Sequence, residues 1–381
     1  MKKYFVIGGG VLQLDFITKL KGLGYEVHVF DYDPNCVGKD VADKFYELSI
    51  DDKDAILEIA KKEKPVAIHT VATEQGNISA SYVGEKLGLL SNGHQAALAT
   101  TDKAIMKKVF ADNDINTPKS VAYHESDKID IDLIEFPCMV KASDRSAGRG
   151  IQLVENKEEF TSALEDAYKS SFNKVVLIEE YFDAPQYSVE TVSFNGNHKV
   201  AAITKMSFTG PPYFVEHVHS LPANISSSLE QKIKEFTFKV LDAFKVQVGA
   251  CHVEIRVKGD EIKIIEIATR MGGWRHWMIE SALDYNFLEA IANSTVGEPY
   301  LKEFATDGKI AISRHIVDKE EMEIYLRIKE EHPQLIVADH VRMTDGEFTS
   351  QNLIEARGFY IICATKGELD AVFKSGEFVG Y

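Results

Sequence analysis

Only four cysteines occur in 381 residues, at 36, 138, 251 and 363. Their wide separation gives neither the paired spacing of a zinc site nor the density of a disulfide scaffold. They read as small buried apolar residues in a reducing compartment. No apolar run reaches the ~20 residues that span a bilayer, and Met1-Lys2-Lys3 passes straight into a strand. A cytoplasmic protein with no membrane partner is expected. A basic surplus is lacking too: 43 Lys and Arg face 59 Asp and Glu, a net charge of −16. That argues against a nucleic-acid partner while leaving room for a local basic cleft. Internal repeats, low-complexity segments and disordered linkers are also missing.

Two nucleotide-binding signatures are incomplete. The strand Tyr4 to Ile7, the run Gly8-Gly9-Gly10, a helical pattern through Leu12, Phe16, Leu20 and Leu23, and a strand from Glu26 to Phe30 form a βαβ opening. Its parallel strands predict a doubly wound sheet. The dinucleotide fingerprint needs a third glycine at position 13, where Gln13 stands. The glycines then read as a turn required by the fold or as part of a small-molecule site at the strand ends. A P-loop is missing as well, because no Gly-Lys-Ser/Thr run opens a helix.

What is present is a hairpin. The apolar strand Phe136 to Val140 delivers Lys141, the small polar loop Ser143 to Gly150 follows, and Ile151 to Val154 leave as a second strand. Lysine supplies a point charge, and small residues let backbone N–H groups approach phosphate oxygens. Upstream, Thr101 or Asp102 caps a helix whose first turn carries Lys103, where a helix N-terminus favours anions. An exposed helix lysine and a phosphate ligand both fit that position.

Downstream, an apolar strand ends in Glu179-Glu180-Tyr181-Phe182. The alternation from Pro185 to Ser193 puts Gln186, Ser188 and Glu190 on one face. Further on, Ala250 to Val257 and Ile262 to Arg270 flank a Gly259-Asp260 turn, so Glu254 and Glu266 lie at similar distances from it and can face each other. Two inward carboxylates repel unless a cation lies between them, and hard oxygen donors completed by phosphate oxygens suit Mg²⁺. Arg270 reads either as an ion-pair partner of one glutamate or as a group of the site. Both tryptophans, Trp274 and Trp277, follow Gly272-Gly273 and flank Arg275 and His276. They either pack at a strand end or line a pocket. The tail alternates strands, Lys309 to Ile316 and Gly358 to Thr365, with helices, Lys319 to Glu331 and Lys366 to Ser375.

The ordered set Lys103, Lys141 with its glycine loop, Glu179 to Phe182, Glu254, and Glu266-Ile267-Ala268-Thr269-Arg270 resembles the ATP-grasp superfamily of the carboxylate–amine ligase type. The similarity covers nearly the whole chain and extends to L-amino-acid ligase, biotin carboxylase and carbamoyl-phosphate synthase. It implies an α/β and α+β fold in three parts: a doubly wound, Rossmann-like preATP-grasp domain (1–93), an ATP-grasp domain of two α+β subdomains (94–299, with a nucleotide-binding lid at about 115–182), and a small α+β lobe (300–381).

By resemblance, ATP would meet Lys103, Lys141, Ser146, Gly148, Gly150, Glu179, Glu180, Tyr181, Phe182, Gln186 and Lys205. Glu254 and Glu266 would hold Mg²⁺, or Mn²⁺, and Arg270 and Lys141 would be catalytic. Glu216, His219, Trp274 and Arg275 would meet substrate. Two departures stand out: Gln186 where a ribose-binding glutamate is usual, and Ala268 where an asparagine helps hold metal. The implied activity is ADP-forming amide synthesis through an acyl phosphate, from a small carboxylate and an amine, by a homodimer. Bicarbonate activation of the carboxylase kind and ATP binding without turnover are the alternatives.

Overall fold

The computed structural model describes residues 1–298, 306, 308–343, 346–374 and 377. Its N-terminal sheet is fully parallel, in the order Lys44–Glu47, Glu26–Asp31, Lys3–Ile7, Ala67–His69. Parallel neighbours need crossover connections, and the helices Val11–Gly22 and Lys53–Glu63 supply two of them. The triple glycine is a packed turn. The Gly9 N–H donates to Asp31 at 2.7 Å, a Cβ on Gly9 would meet the Cys36 sulfur at 2.7 Å, and the Gln13 amide bonds the Val71 carbonyl at 2.7 Å. The third helix runs Glu74–Leu87, one turn ahead of its first large apolar residue, Ile78, and Thr73 caps it by accepting from the Gly76 N–H.

A small antiparallel sheet follows in the order Ser120–His124, Val175–Glu180, Cys138–Ala142, Ile151–Val154. The helix Lys157–Ser170 seals one face with Phe160, Ala163 and Ala167. This is the lysine hairpin expected from the sequence.

The largest sheet has eight strands, in the order Glu261–Ala268, Val248–Lys258, Gln186–Phe194, Asn197–Phe208, Glu216–Leu221, Lys309–His315, Gly358–Thr365, Ile336–Val341. The tail therefore continues the central sheet, with Glu216–Leu221 paired to Lys309–His315. The expected boundary at 299/300 lies outside the described residues, as does Ser375, the expected end of a helix observed over Lys366–Val372. The helix Ser227–Ala243 packs Ile233, Val240 and Leu241 on one face of this sheet, against Tyr187, Val189, Ile203 and Ile255. The α/β and α+β fold class is thus borne out. Beyond Ala268 the chain leaves the strand, so Arg270 does not continue it, and Arg275–Ala282 is a helix with Trp274 at its N-cap.

Candidate active site

A cleft of about 960 Å³ opens between the small sheet, the central sheet and the end of the N-terminal sheet. The strands Val248–Lys258 and Glu261–Ala268 form its floor, and ladder register brings Glu254 and Glu266 together on it. Glu254 lies directly opposite Glu266, and His252 directly opposite Ala268. Opposed residues share a face, so the two carboxylates meet as the turn count indicated. The neighbouring strand adds Ser188 beside Glu254, Glu190 beside His252 and Gln186 beside Arg256.

Glu254 is held at both oxygens. His252 Nε2 lies 3.1 Å from Oε1, and the Gln186 amide donates to Oε2 at 2.7 Å. Burial would raise this carboxyl, but the His252 bond and the positive charges of His252, Arg275 and Lys103 together bring it down to about 2. Burial would likewise lower His252, and the adjoining Glu190 carboxylate instead raises it to about 9. Among the described residues Glu266 has a single ion pair, with Lys103 at 3.1 Å. Lys103 is buried at the start of its helix and donates to the Arg145 carbonyl of the lid loop at 2.8 Å. It is therefore not an exposed helix lysine. Two facing carboxylates amid cations suit a small hard cation that completes its shell with water and phosphate oxygen.

The strand Cys138–Ala142 presents Lys141 to the same cleft, ion-paired with Glu179. Lys107 reaches the other Glu179 oxygen at 2.5 Å. Burial would raise the Glu179 carboxyl, and the two lysines hold it below its ordinary value. Ser146 and Gly148 line the cleft and Gly150 does not. Its φ is +65°, and a Cβ there would lie 2.8 Å from Ser170 and 3.0 Å from Ala142, so Gly150 packs the hairpin base on its helix. Glu180, Tyr181, Phe182 and Gln186 line the opposite end, where Arg256 ties Gln186 to the Phe182 carbonyl through bonds of 2.9 and 2.8 Å.

Lys205 is not brought to the cleft. It pairs with Tyr187 in the ladder, and Tyr187 faces the helix Ser227–Ala243. The cleft face of that strand passes through Met206, opposite Gln186, so alternation turns Lys205 the other way.

Arg270 does line the cleft, yet its partner is Glu74 at the start of an N-terminal helix, not Glu254 or Glu266. At the far end Glu216, Trp274 and Arg275 are lining residues, whereas His219 lies behind them, fully buried and 3.4 Å from Glu216. Burial, then repulsion from Glu254, raises the Glu216 carboxyl to about 7. Arg275 is 1% exposed and ion-paired to Glu190 at 3.5 Å, while Trp274 packs on His315 with centroids 4.3 Å apart. Trp277 turns away toward His340 and His276.

Sequence reasoning missed Glu74, Lys107, Glu190, His252 and Arg256 as groups of this site. Only Glu190 carried a signal, its place on the same face as Gln186. Among the described residues no three His, Cys, Asp or Glu side chains converge to hold a metal by themselves. No helix among them is long and apolar enough to cross a membrane.

An ATP-grasp domain profile matches residues 134–277, the lid hairpin through Trp277. Over that stretch the chain is similar to ATP-grasp domains, in keeping with the resemblance carried by Lys141, Glu179 to Phe182, Glu254 and Glu266 to Arg270. The chain is 25% identical over 278 residues to formate-dependent phosphoribosylglycinamide formyltransferase of Methanocaldococcus jannaschii, covering 70% of this chain and 69% of that one. Other curated relatives are covered over as little as 23% of their length. Among solved structures, L-amino acid ligase from Bacillus licheniformis superimposes with a TM-score of 0.78 at 18% identity, over 97% of this chain and 95% of that one. N5-carboxyaminoimidazole synthetase from Staphylococcus aureus, complexed with ADP, gives 0.77 at 19%, over 98% and 97%. At such identities the structural likeness speaks for the fold.

Proposed function

We propose that the protein is an ATP-dependent carboxylate–amine ligase that forms an amide through an acyl phosphate and releases ADP and phosphate. The observation that carries this reading is the convergence of Lys103, Lys141, Arg270 and the facing pair Glu254 and Glu266 on one cleft. Lys103 and Lys141 would meet the α- and β-phosphates, with the loop through Ser146 and Gly148 closing over the rest. Glu180, Tyr181 and Phe182 would receive adenine, and Gln186 the ribose.

Glu254 and Glu266 fit Mg²⁺, or Mn²⁺, which when bound neutralises the phosphate oxygens. Phosphoryl transfer depends mainly on such positioning and charge neutralisation. The substrate carboxylate would attack the γ-phosphate beside Arg270, whose guanidinium steadies the transferring group and then the tetrahedral oxyanion. The far end, with Glu216, Trp274 and Arg275, would hold the acid and the amine. Glu216, raised to about 7, can take the proton that the amine loses on attack. We further propose the division 1–93, 94–299 and 300–381, and a cytoplasmic homodimer.

The test is ADP and phosphate release from Mg-ATP across amino acids, small carboxylic acids and bicarbonate, with Glu266→Ala as control. Release that needs one carboxylate and one amine, and is lost in the control, supports the ligase. Bicarbonate-dependent release without an amine moves the assignment to the carboxylase kind. Mg-ATP binding with no release from any mixture would indicate a non-catalytic nucleotide binder.

A further inference from the structure

His252 is aimed at the carboxylate floor without belonging to it. Its Nδ1 bonds Glu190, which is fully buried and also accepts from the Gly272 N–H at 3.2 Å. Its Nε2 faces Glu254 Oε1 at 3.1 Å. With both ring nitrogens engaged, the imidazole reaches a cation between Glu254 and Glu266 only through Glu254. The residue directly across the ladder is Ala268, which is buried and offers no polar side-chain atom beside Glu266. The other side of the ring is closed, since a Cβ on Gly272 would lie 2.9 Å from His252 Nδ1 and 3.0 Å from Glu190 Oε1. Glycine at 272 is what lets the chain cross over this pair.

The two floor carboxylates are thus held unequally. Glu254 is fixed at both oxygens by His252 and Gln186, whereas Glu266 is met at one oxygen by the Lys103 ammonium. A ligand carboxylate whose orientation is set before the metal arrives binds it more tightly, and loss of such an outer partner typically costs about 10–100-fold in metal affinity. Resting on the proposed cation role of Glu254 and Glu266, we propose that His252, braced by Glu190 from the next strand, is the positioning residue of the cation site. It supplies from across the ladder a polar group that the side chain of Ala268 does not.

The test is titration of Mn²⁺ into the ADP-bound protein, read by loss of the free-ion electron paramagnetic resonance signal. The wild type is compared with His252→Ala, His252→Gln, Glu190→Gln, and Glu254→Ala with Glu266→Ala. Mn²⁺ affinity should fall about 10–100-fold in His252→Ala, fall in the same direction in Glu190→Gln, and recover substantially in His252→Gln, whose amide can still donate to Glu254. Metal-free ADP binding measured on each variant separates loss of the cation site from misfolding, which would abolish both. If the carboxylate double variant loses Mn²⁺ but His252→Ala and Glu190→Gln keep wild-type affinity, the positioning role is overturned and the cation reading stands. Should the double variant bind as the wild type does, the cation reading fails and this inference falls with it.

Discussion

Arg270 and Glu74, 196 residues apart in the chain, form a buried ion pair that joins the end of the central sheet to the first turn of an N-terminal helix. Burial would lower the guanidinium pKa, and Glu74 instead keeps it raised. The arginine is therefore charged and pointed before any substrate arrives. Arg270→Lys should lower turnover by 10²–10³-fold, about 2.7–4 kcal/mol of barrier, with little change in ADP affinity. Glu74→Gln should lower turnover in the same direction but by less. Steady-state kinetics beside calorimetric ADP binding checks both.

Glu179 neutralises two buried lysines, so its removal acts first on stability. Glu179→Ala leaves Lys107 and Lys141 without their shared counter-charge, which typically costs about 3–5 kcal/mol. Chemical denaturation should show that loss, and saturating ATP should return part of it, because bound phosphates replace the carboxylate as partner.

The ladder register separates two lysines that the chain alone treats alike. Lys103→Met should weaken ADP binding by about tenfold or more, the size of one charge-assisted contact. Lys205→Met should change it less than about twofold, because that side chain leaves the opposite face of the sheet.

Burial lowers His69 from 6.5 to about 4. The folded state keeps this imidazole neutral while the unfolded chain takes a proton near pH 6.5. Stability should therefore be intact above that value and decline as pH falls from 6.5 to 4, by up to about 3 kcal/mol from this group. His69→Gln should remove that share, so wild-type stability minus variant stability should be greater at pH 7 than at pH 4.5.

Features confined to one hairpin or one helix were legible. Glu254 facing Glu266 followed from counting away from Gly259-Asp260, and Lys103 from its cap. Pairing between distant strands was not, because nothing in the run around Glu190 states that His252 lies beside it. Lys205 shows the same gap, since its face depends on which residue stands opposite. The strands Lys44–Glu47 and Ile336–Val341 also escaped, being sheet edges with little buried surface and hence no apolar alternation. Glu74 was hidden by a helix that begins one turn earlier than its apolar pattern does.

Because the strands from Glu261 to Thr365 belong to a single eight-stranded sheet, the floor and far wall of the cleft are one rigid plate. Shifting one wall against the other would break ladder hydrogen bonds, so any motion on substrate binding should be taken up by the four-stranded lysine sheet. The Leu353 N–H donates to the Ala147 carbonyl at 3.1 Å, and the Leu153 N–H to the Pro212 carbonyl at 2.8 Å. Those two contacts are latches on the moving part, and their amide protons should exchange with solvent far sooner than those of the plate.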